Sequence, residues 1–174
     1  FAIALGVVGQ RLWRAHDTNQ TDSCSTAPLT LASWSPADPN EYTVGDTSFA
    51  VTQIIEYGGV PWEIKIDGAY QAGTDNLFRN QAPQMARWPH ANNGRWAFTA
   101  WGYLFIPTQG ALLQIGRGSS KSVGPETLQM DGVTYIIRSG VEWGGDIYLM
   151  AESTDVVDGT ASTRGAILIM TRKQ

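Results

Sequence analysis

Short runs of β-branched and aromatic residues, separated by pairs of turn-forming residues, recur along this sequence after residue 48. The clearest case is the pair of runs ETLQM and VTYII, which flank Asp131–Gly132. Asp-Gly supplies the positive φ angles that a two-residue hairpin turn requires. These two runs are therefore predicted to pair as antiparallel strands. Asp67–Gly68, Gly144–Gly145 and Asp158–Gly159 mark three further chain reversals.

Eight strands are predicted from these runs. Residues 62–66 alternate, with Trp62, Ile64 and Ile66 on one face and Glu63 and Lys65 on the other, which is typical of a strand with one buried side. Residues 95–106 are apolar on both faces, which predicts a central strand or a strand that meets another molecule. The predicted strands are 49–57, 62–66, 95–106, 111–115, 127–130, 133–138, 146–151 and 166–171.

A helical pattern after residue 40 occurs only at residues 74–87. Thr74 or Asp75 would cap this helix, and Pro83 would end or kink it. Long helices between the strands are missing, which argues against a parallel α/β sheet. The strand spacing instead predicts a mainly β protein, an antiparallel β-sandwich or barrel-like domain.

The first 40 residues have a different composition. Residues 1–16 are predicted to form an N-terminal arm, either extended or as a short helix. Residues 16–40 are rich in Thr, Ser, Asn, Asp and Pro, which is typical of an irregular linker. So long a loop is unusual inside a compact domain. We therefore predict two regions, an arm and linker at 1–40 and a β domain at 41–174.

Charge and apolar patterning limit the classes of partner. The formal net charge of −4 argues against nucleic acid as the main partner. The apolar run at 1–9 ends at Gln10 and Arg11, well short of the roughly 20 residues that a membrane-spanning helix needs. No membrane span is predicted. Cys24 is the single cysteine, so an intrachain disulfide is excluded, and its role stays open.

Residues with catalytic or metal-binding chemistry are few. His16, His90 and Cys24 have no zinc-ligand spacing, and no Gly-x-Ser-x-Gly sequence is present, so no metal, cofactor or nucleophilic triad is predicted. Carboxylates near aromatic residues leave one enzymatic hypothesis, a small glycoside hydrolase. Solvated acidic side chains on strands explain the same residues. The carboxylates concerned are Glu56, Glu63, Glu142, Asp146 and Glu152.

The seven tryptophans divide by position. Trp62, Trp96 and Trp101 fall on predicted strands, which favours core or interface positions. Trp13, Trp34, Trp88 and Trp143 fall near loops, where an exposed indole could stack on a sugar ring. A carbohydrate-binding β-sandwich module that uses Trp34, Trp88 and Trp143 is therefore the alternative function.

Our leading hypothesis is a non-catalytic structural or interaction protein whose partners are copies of itself and other subunits of an assembly. A virion component (a capsid, decoration, tail or fibre protein) is the favoured setting, and its location would be the virion or the extracellular space. Glycan binding and glycoside hydrolysis remain the second and third hypotheses. The predicted interface residues are Phe1, Ile3, Leu5, Val8, Leu12, Trp13, Trp101, Tyr103 and Phe105.

Overall fold

The computed structural model describes residues 4–15, 23–28, 41–46, 48–75, 77–116, 118–124, 128–130, 133–157 and 160–172. Most of these residues lie in antiparallel strands, which confirms the predicted mainly β class. The chain forms two compact units, Phe1–Arg95 and Trp96–Gln174. Each unit contains two four-stranded sheets whose strands follow one another in chain order.

The first unit is built from strands β1 to β8. Side chains of both its sheets share one buried cluster that includes Val8, Trp13, Val51 and Ile54. One sheet contains β1 (Ala4–Val8), β2 (Arg11–Ala15), β3 (Ser23–Pro28) and β4 (Glu41–Thr43). The other contains β5 (Val51–Tyr57), β6 (Val60–Lys65), β7 (Gly68–Ala72) and β8 (Phe78–Asn80).

The second unit is built from strands β9 to β16. Phe98, Phe105, Ile147 and Leu149 lie in a buried cluster to which both sheets contribute. One sheet contains β9 (Phe98–Ala100), β10 (Tyr103–Pro107), β11 (Leu112–Gly116) and β12 (Ser119–Ser122). The other contains β13 (Leu128–Met130), β14 (Val133–Trp143), β15 (Asp146–Val157) and β16 (Thr160–Met170).

The start of the chain is part of a sheet, which differs from the predicted N-terminal arm. β1 and β2 pair from Ala4↔Ala15 to Val8↔Arg11, and Val8, Trp13 and Ala15 are buried. Residues 4–8 alternate between two faces as a strand does, with Ala4, Gly6 and Val8 on the inward face. The alternation is hard to see in the sequence because Gly6 has no side chain. The division between the two compact units falls between residues 95 and 96. Residues 16–22 and 29–40 of the predicted linker lie outside the described residues.

The alternation of β6 does not mean one solvent-exposed side. Glu63 and Lys65 are fully buried, as is Ile64 on the opposite face. The Lys65 Nζ donates hydrogen bonds to the backbone oxygens of Val44 and Asp46, both at 2.5 Å. A buried ammonium is tolerated where its protons are accepted in this way, so the predicted polar face is in fact internal.

The predicted helix at 74–87 is wrong. Residues 78–80 form β8, and the described part of this range contains only a short 3₁₀ helix at Pro83–Arg87. The Asp75 and Arg79 side chains do form an i, i+4 ion pair, with a hydrogen bond of 2.9 Å from Arg79 Nη1 to Asp75 Oδ1. This ion pair links an irregular segment to a strand. The i, i+4 spacing that is typical of a helix therefore occurs here without a helix.

Residues 95–106 form a hairpin where a single strand was predicted. β9 and β10 pair from Tyr103↔Ala100 to Phe105↔Phe98, and Trp101–Gly102 make the turn. Both turn residues have positive φ, 51° for Trp101 and 75° for Gly102, as a tight hairpin turn requires. The two apolar faces of the sequence run therefore belong to two short strands.

Candidate interaction surface

The sheet of β14, β15 and β16 has one face that packs inward and one that faces outward. Ile147 and Leu149 on β15 are buried in the core of the second unit. The residues that alternate with them, Tyr148 and Met150, lie on the outer face because side chains along a strand alternate between faces. Cross-strand pairing places Val141 and Ile169 beside Tyr148, and Ser139 and Ile167 beside Met150.

The outer face of these three strands is apolar and exposed to solvent. Five large apolar side chains on it are more than half exposed, from 55% for Met150 to 72% for Ile167. Single exposed apolar side chains are normal on protein surfaces, but a contiguous group across neighbouring strands marks an interaction site. We call this group the outer face, and it consists of Val141, Trp143, Met150, Ile167 and Ile169.

Trp143 stands at one end of the outer face. The chain turns directly after it at Gly144 and Gly145, whose φ angles are 61° and 91°, and Trp143 pairs with Asp146 across the turn. The Trp143 ring lies edge-on to the Tyr148 ring, with centroids 5.7 Å apart and an interplanar angle of 62°. This contact packs one edge of the indole against Tyr148, and the Trp143 side chain is still 71% exposed.

A pocket of about 260 Å³ is lined in part by Met150, one of the residues of the outer face. Two of its lining residues form an ion pair, in which Arg138 Nε donates to Glu152 Oε2 at 2.9 Å. Met150 connects the pocket to the rest of the outer face. The pocket is lined by Trp96, Arg138, Ser139, Met150, Ala151 and Glu152.

The β14–β15 turn is fixed by contacts with the β9–β10 turn. The backbone N–H of Trp101 donates to Glu142 Oε2 at 2.6 Å, and the Trp101 Nε1–H donates to the backbone oxygen of Gly145 at 2.8 Å. A positive φ is costly for a bulky residue and persists where surrounding contacts hold it. Trp101 therefore supports the turn that presents Trp143.

The predicted carboxylates lie at different positions in the two units. Asp146 and Glu152 share a face of β15 but are six residues apart, or about 20 Å at the rise of a strand. Glu142 points to the opposite face, toward Trp101. Glycoside hydrolysis needs carboxyl groups about 5 to 9.5 Å apart. In the other unit, Glu56 is exposed and accepts the Gly9 N–H at 3.0 Å, whereas Glu63 is buried.

The predicted interface residues have scattered positions. Val8, Trp13 and Phe105 are buried core residues, and Phe105 stacks on Phe98 with ring centroids 5.2 Å apart. Leu5 is 60% exposed. Leu12, Trp101 and Tyr103 are partly buried. Phe1 and Ile3 lie outside the described residues.

The three tryptophans that were predicted to bind sugar have different positions. Trp143 is exposed and Trp88 is partly buried in the first unit. Trp34 lies outside the described residues. Of this set, only Trp143 contributes to the outer face.

Sequence reasoning missed four of the five residues of the outer face. Met150, Ile167 and Ile169 sit in the runs IYLMA and AILIM, which are apolar at both alternating positions, whereas Val141 lies between Gly140 and Glu142. That double apolar pattern is the signal that could have indicated those three. The same pattern at residues 95–106 was interpreted as a central or interface strand, but those residues form a hairpin.

Comparisons with known proteins leave the function to be argued from this geometry. No protein-family model matches the chain, and no curated protein is significantly similar to it in sequence. Within the described residues, no helix is both long and apolar enough to span a membrane. The same residues contain no group of three or more His, Cys, Asp or Glu side chains that could hold a metal ion.

Proposed function

We propose that this protein is a non-catalytic structural or interaction protein, and that it docks onto other subunits of an assembly through the outer face. The observation that carries the proposal is the contiguous set of exposed apolar side chains on β14, β15 and β16. Burial of apolar surface stabilises an association by about 25 cal/mol per Å² before the costs of binding are subtracted.

The edge of the same sheet supports this proposal. β16 lies at the edge of the described strand order and runs for 11 residues from Thr160 to Met170. Proteins usually protect such edges with charged residues or proline, but Arg164 is the single charged residue within β16 and the strand contains no proline. A partner that pairs with β16 as well as packing on the outer face would shield this edge.

A virion component is the setting that we favour within this proposal: a capsid, decoration, tail or fibre protein. The support is the composition, with 19 glycines, a charged share of 16% and three lysines in 174 residues. Surfaces with few lysines are suited to permanent contact with neighbours because little charge has to be desolvated. Its place would then be the virion or the extracellular space.

The proposal is tested by measuring mass in solution with light scattering. The full chain is compared with the double variant Ile167→Lys, Ile169→Lys, and the matched control is Leu77→Lys, which replaces a side chain in the first unit that is 60% exposed. We expect an oligomer for the wild type and the control, and a monomer for the double variant. A wild-type chain that stays monomeric at every concentration would exclude self-assembly through the outer face.

Glycan binding is the second candidate, and Trp143 is the observation that favours it. An indole that is 71% exposed and held against Tyr148 presents a flat apolar surface of the kind that sugar rings stack on. Titration of oligosaccharides would then shift the tryptophan fluorescence, and Trp143→Ala would abolish the shift. An unchanged spectrum across a broad glycan panel would eliminate this candidate.

A further inference from the structure

The pocket of about 260 Å³ lies where β14 departs from regular pairing. Ile137 pairs with Ala151, and Ser139 pairs with Met150. Arg138 is left between these pairs as the extra residue of a β-bulge. Ile137 packs against the core of the second unit, whereas Ser139 is opposite the exposed Met150. The bulge therefore places two residues on opposite faces that a regular strand would place on one face.

The bulged residue brings an ion pair to the pocket. β-Bulges are frequent beside functional sites, where they change the direction of a side chain. Arg138 and Glu152 both line the pocket, and their side chains are 22% and 43% exposed. Their hydrogen bond joins Arg138 Nε to Glu152 Oε2 at 2.9 Å. Nη1 and Nη2 of the arginine and Oε1 of the glutamate take no part in this bond, so the pair can offer both donors and an acceptor to a ligand.

An aromatic ring forms an apolar wall of the same pocket. Trp96 lies just before β9 and is 43% exposed, whereas Ala97 and Phe98 directly after it are buried. Met150 and Ala151 add further apolar surface to the lining. Apolar walls with a few polar groups that fix the orientation of a ligand are the usual form of a small-molecule site. The pocket has both parts.

We propose that this pocket binds one ring of a neutral sugar, a pyranose with hydroxyl groups on neighbouring carbons. The apolar C–H face of the ring lies against the indole of Trp96. One hydroxyl group accepts a hydrogen bond from an Nη group of Arg138, and the neighbouring hydroxyl donates one to Oε1 of Glu152. Hydrogen bonds to charged groups are stronger than those between neutral groups. This inference goes beyond the proposed docking function, because it assigns a small-molecule site of which only Met150 belongs to the outer face.

Charge and size together select this class of ligand. Arg138 and Glu152 neutralise each other, so a charged ligand would have to compete with the ion pair. A hydroxyl group is both a donor and an acceptor, so two adjacent hydroxyl groups match a guanidinium beside a carboxylate without separating them. The volume of about 260 Å³ is below the range of about 300 to 1,000 Å³ for drug-sized ligands. The pocket therefore suits a single sugar ring.

This site is distinct from the exposed Trp143. Trp143 lies five residues after Arg138 on β14, or about 17 Å at the rise of a strand. One sugar ring cannot contact both residues. Replacement of Trp143 is therefore a matched control for replacement of Trp96, because both are exposed tryptophans of the second unit.

Isothermal titration calorimetry on the full chain tests the proposal. The probes are the methyl glycosides of glucose, galactose, mannose and N-acetylglucosamine, together with cyclohexanol, which has a ring but no neighbouring hydroxyl groups. We expect at least one glycoside to bind with a dissociation constant on the order of millimolar, as is usual for so small a ligand. Cyclohexanol should bind at least tenfold more weakly, because it leaves polar groups of the pocket without partners.

Substitutions then locate the site. Trp96→Ala and Arg138→Met should each weaken binding of that glycoside at least tenfold, because they remove the stacking surface and the donors. Trp96→Phe, which keeps an aromatic face, should bind within about threefold of the wild type. The controls Trp143→Ala and Lys121→Met should leave the dissociation constant unchanged. Circular dichroism checks that each variant is folded.

The outcomes separate this site from the other candidates. Absence of heat from every glycoside at ten times the expected dissociation constant would overturn the proposal. Equal binding of cyclohexanol would overturn it too, since the pocket would then be an apolar cavity without sugar recognition. Binding that is lost in Trp143→Ala and kept in Trp96→Ala would move the sugar contact to Trp143. A chain that fails the light-scattering test of docking but binds a glycoside through Trp96 would support this inference alone.

Discussion

The two units differ in where they place charged and apolar side chains, although Leu5, Val7 and Leu77 of the first unit are also exposed. The first unit buries Glu63 and Lys65 completely, and the second leaves Val141, Ile167 and Ile169 largely in solvent. Both units use the same plan of two four-stranded antiparallel sheets with strands in chain order. The contrast therefore does not come from topology. It shows that the same architecture can direct polar groups inward in one unit and present apolar groups outward in the other.

The polar interior of the first unit is organised around β6. Lys65 donates to backbone oxygens of the segment before β5, and its ammonium lies 5.7 Å from the centre of the Tyr70 ring. The Tyr70 hydroxyl donates to Asp67 Oδ2 at 2.7 Å. These bonds join segments that the strand ladders leave separate. Buried polar contacts of this kind specify one arrangement of the core.

The largest effect that this comparison predicts is on the first unit. Deletion of residues 1–15 removes β1 and β2 and takes Val8, Trp13 and Ala15 out of the shared core. We expect the first unit to unfold, so that hydrogen exchange in β5–β7 loses its protection. If those amides stay protected, residues 1–15 act as the dispensable arm that the sequence suggested.

Replacement of the buried ammonium should have the next largest effect. Lys65→Met keeps the length of the side chain but leaves the backbone oxygens of Val44 and Asp46 without their donor. Bare buried acceptors cost about 1–3 kcal/mol each, so the free energy of unfolding should fall by about 3 kcal/mol. Urea denaturation measures this, with Lys121→Met on the exposed strand β12 as the control. A loss below 0.5 kcal/mol, the usual scatter for surface substitutions, would contradict it.

Alkaline pH should weaken the first unit selectively. Burial, and then the hydrogen bond to Asp67, raise the pKa of Tyr70 well above its usual value. A group whose folded pKa is raised contributes stability below its unfolded pKa, and this contribution is lost as the pH rises. Unfolding midpoints should therefore fall as the pH is raised above about 10.

The Tyr70→Phe variant isolates this effect. It should flatten the alkaline decline, whereas Tyr103→Phe in the second unit should leave the decline unchanged. Thermal melts between pH 8 and pH 11 provide the measurement. An identical decline in both variants would assign the pH dependence to other groups.

The smallest predicted effect comes from making the same substitution, isoleucine to threonine, at one position in each unit. Ile167→Thr on the outer face should change the free energy of unfolding by less than about 0.5 kcal/mol, because the side chain is already in solvent. Ile54→Thr in the buried cluster of the first unit should cost about 2–3 kcal/mol. Equal losses at both sites, measured at concentrations where the chain is monomeric, would show that the outer face belongs to a core.

Turn chemistry made much of the fold predictable. Asp131–Gly132 located the β13–β14 hairpin because those residues favour the required φ angles, and the pairing from Leu128↔Tyr135 to Met130↔Val133 confirms it. Trp101–Gly102 gave no such signal, since a tryptophan at positive φ is held there by contacts with Glu142 and Gly145. Propensity cannot indicate a turn whose stability comes from residues 41 and 44 positions away.

The residues of the outer face could be predicted from the sequence only in part, for a related reason. Trp143 was identified because it borders a Gly-Gly turn. Ile167 and Ile169 were not, because a strand that is apolar on both faces does not reveal which face another sheet covers. Lys65 was misplaced likewise, since the carbonyl groups that accept its protons come from a loop 19 and 21 residues earlier in the chain. Side-chain alternation is local, but burial depends on tertiary contacts.

The chain-order arrangement of the strands has a consequence for synthesis. In every sheet each strand pairs with the strand that precedes or follows it, so each hairpin can form as soon as its second strand leaves the ribosome. Pairings between near neighbours carry a small entropy cost of closure and favour rapid folding for an all-β protein. Of these four sheets, the one that carries the outer face is made after the other three, so its apolar side chains meet solvent only after the preceding sheets have had time to form.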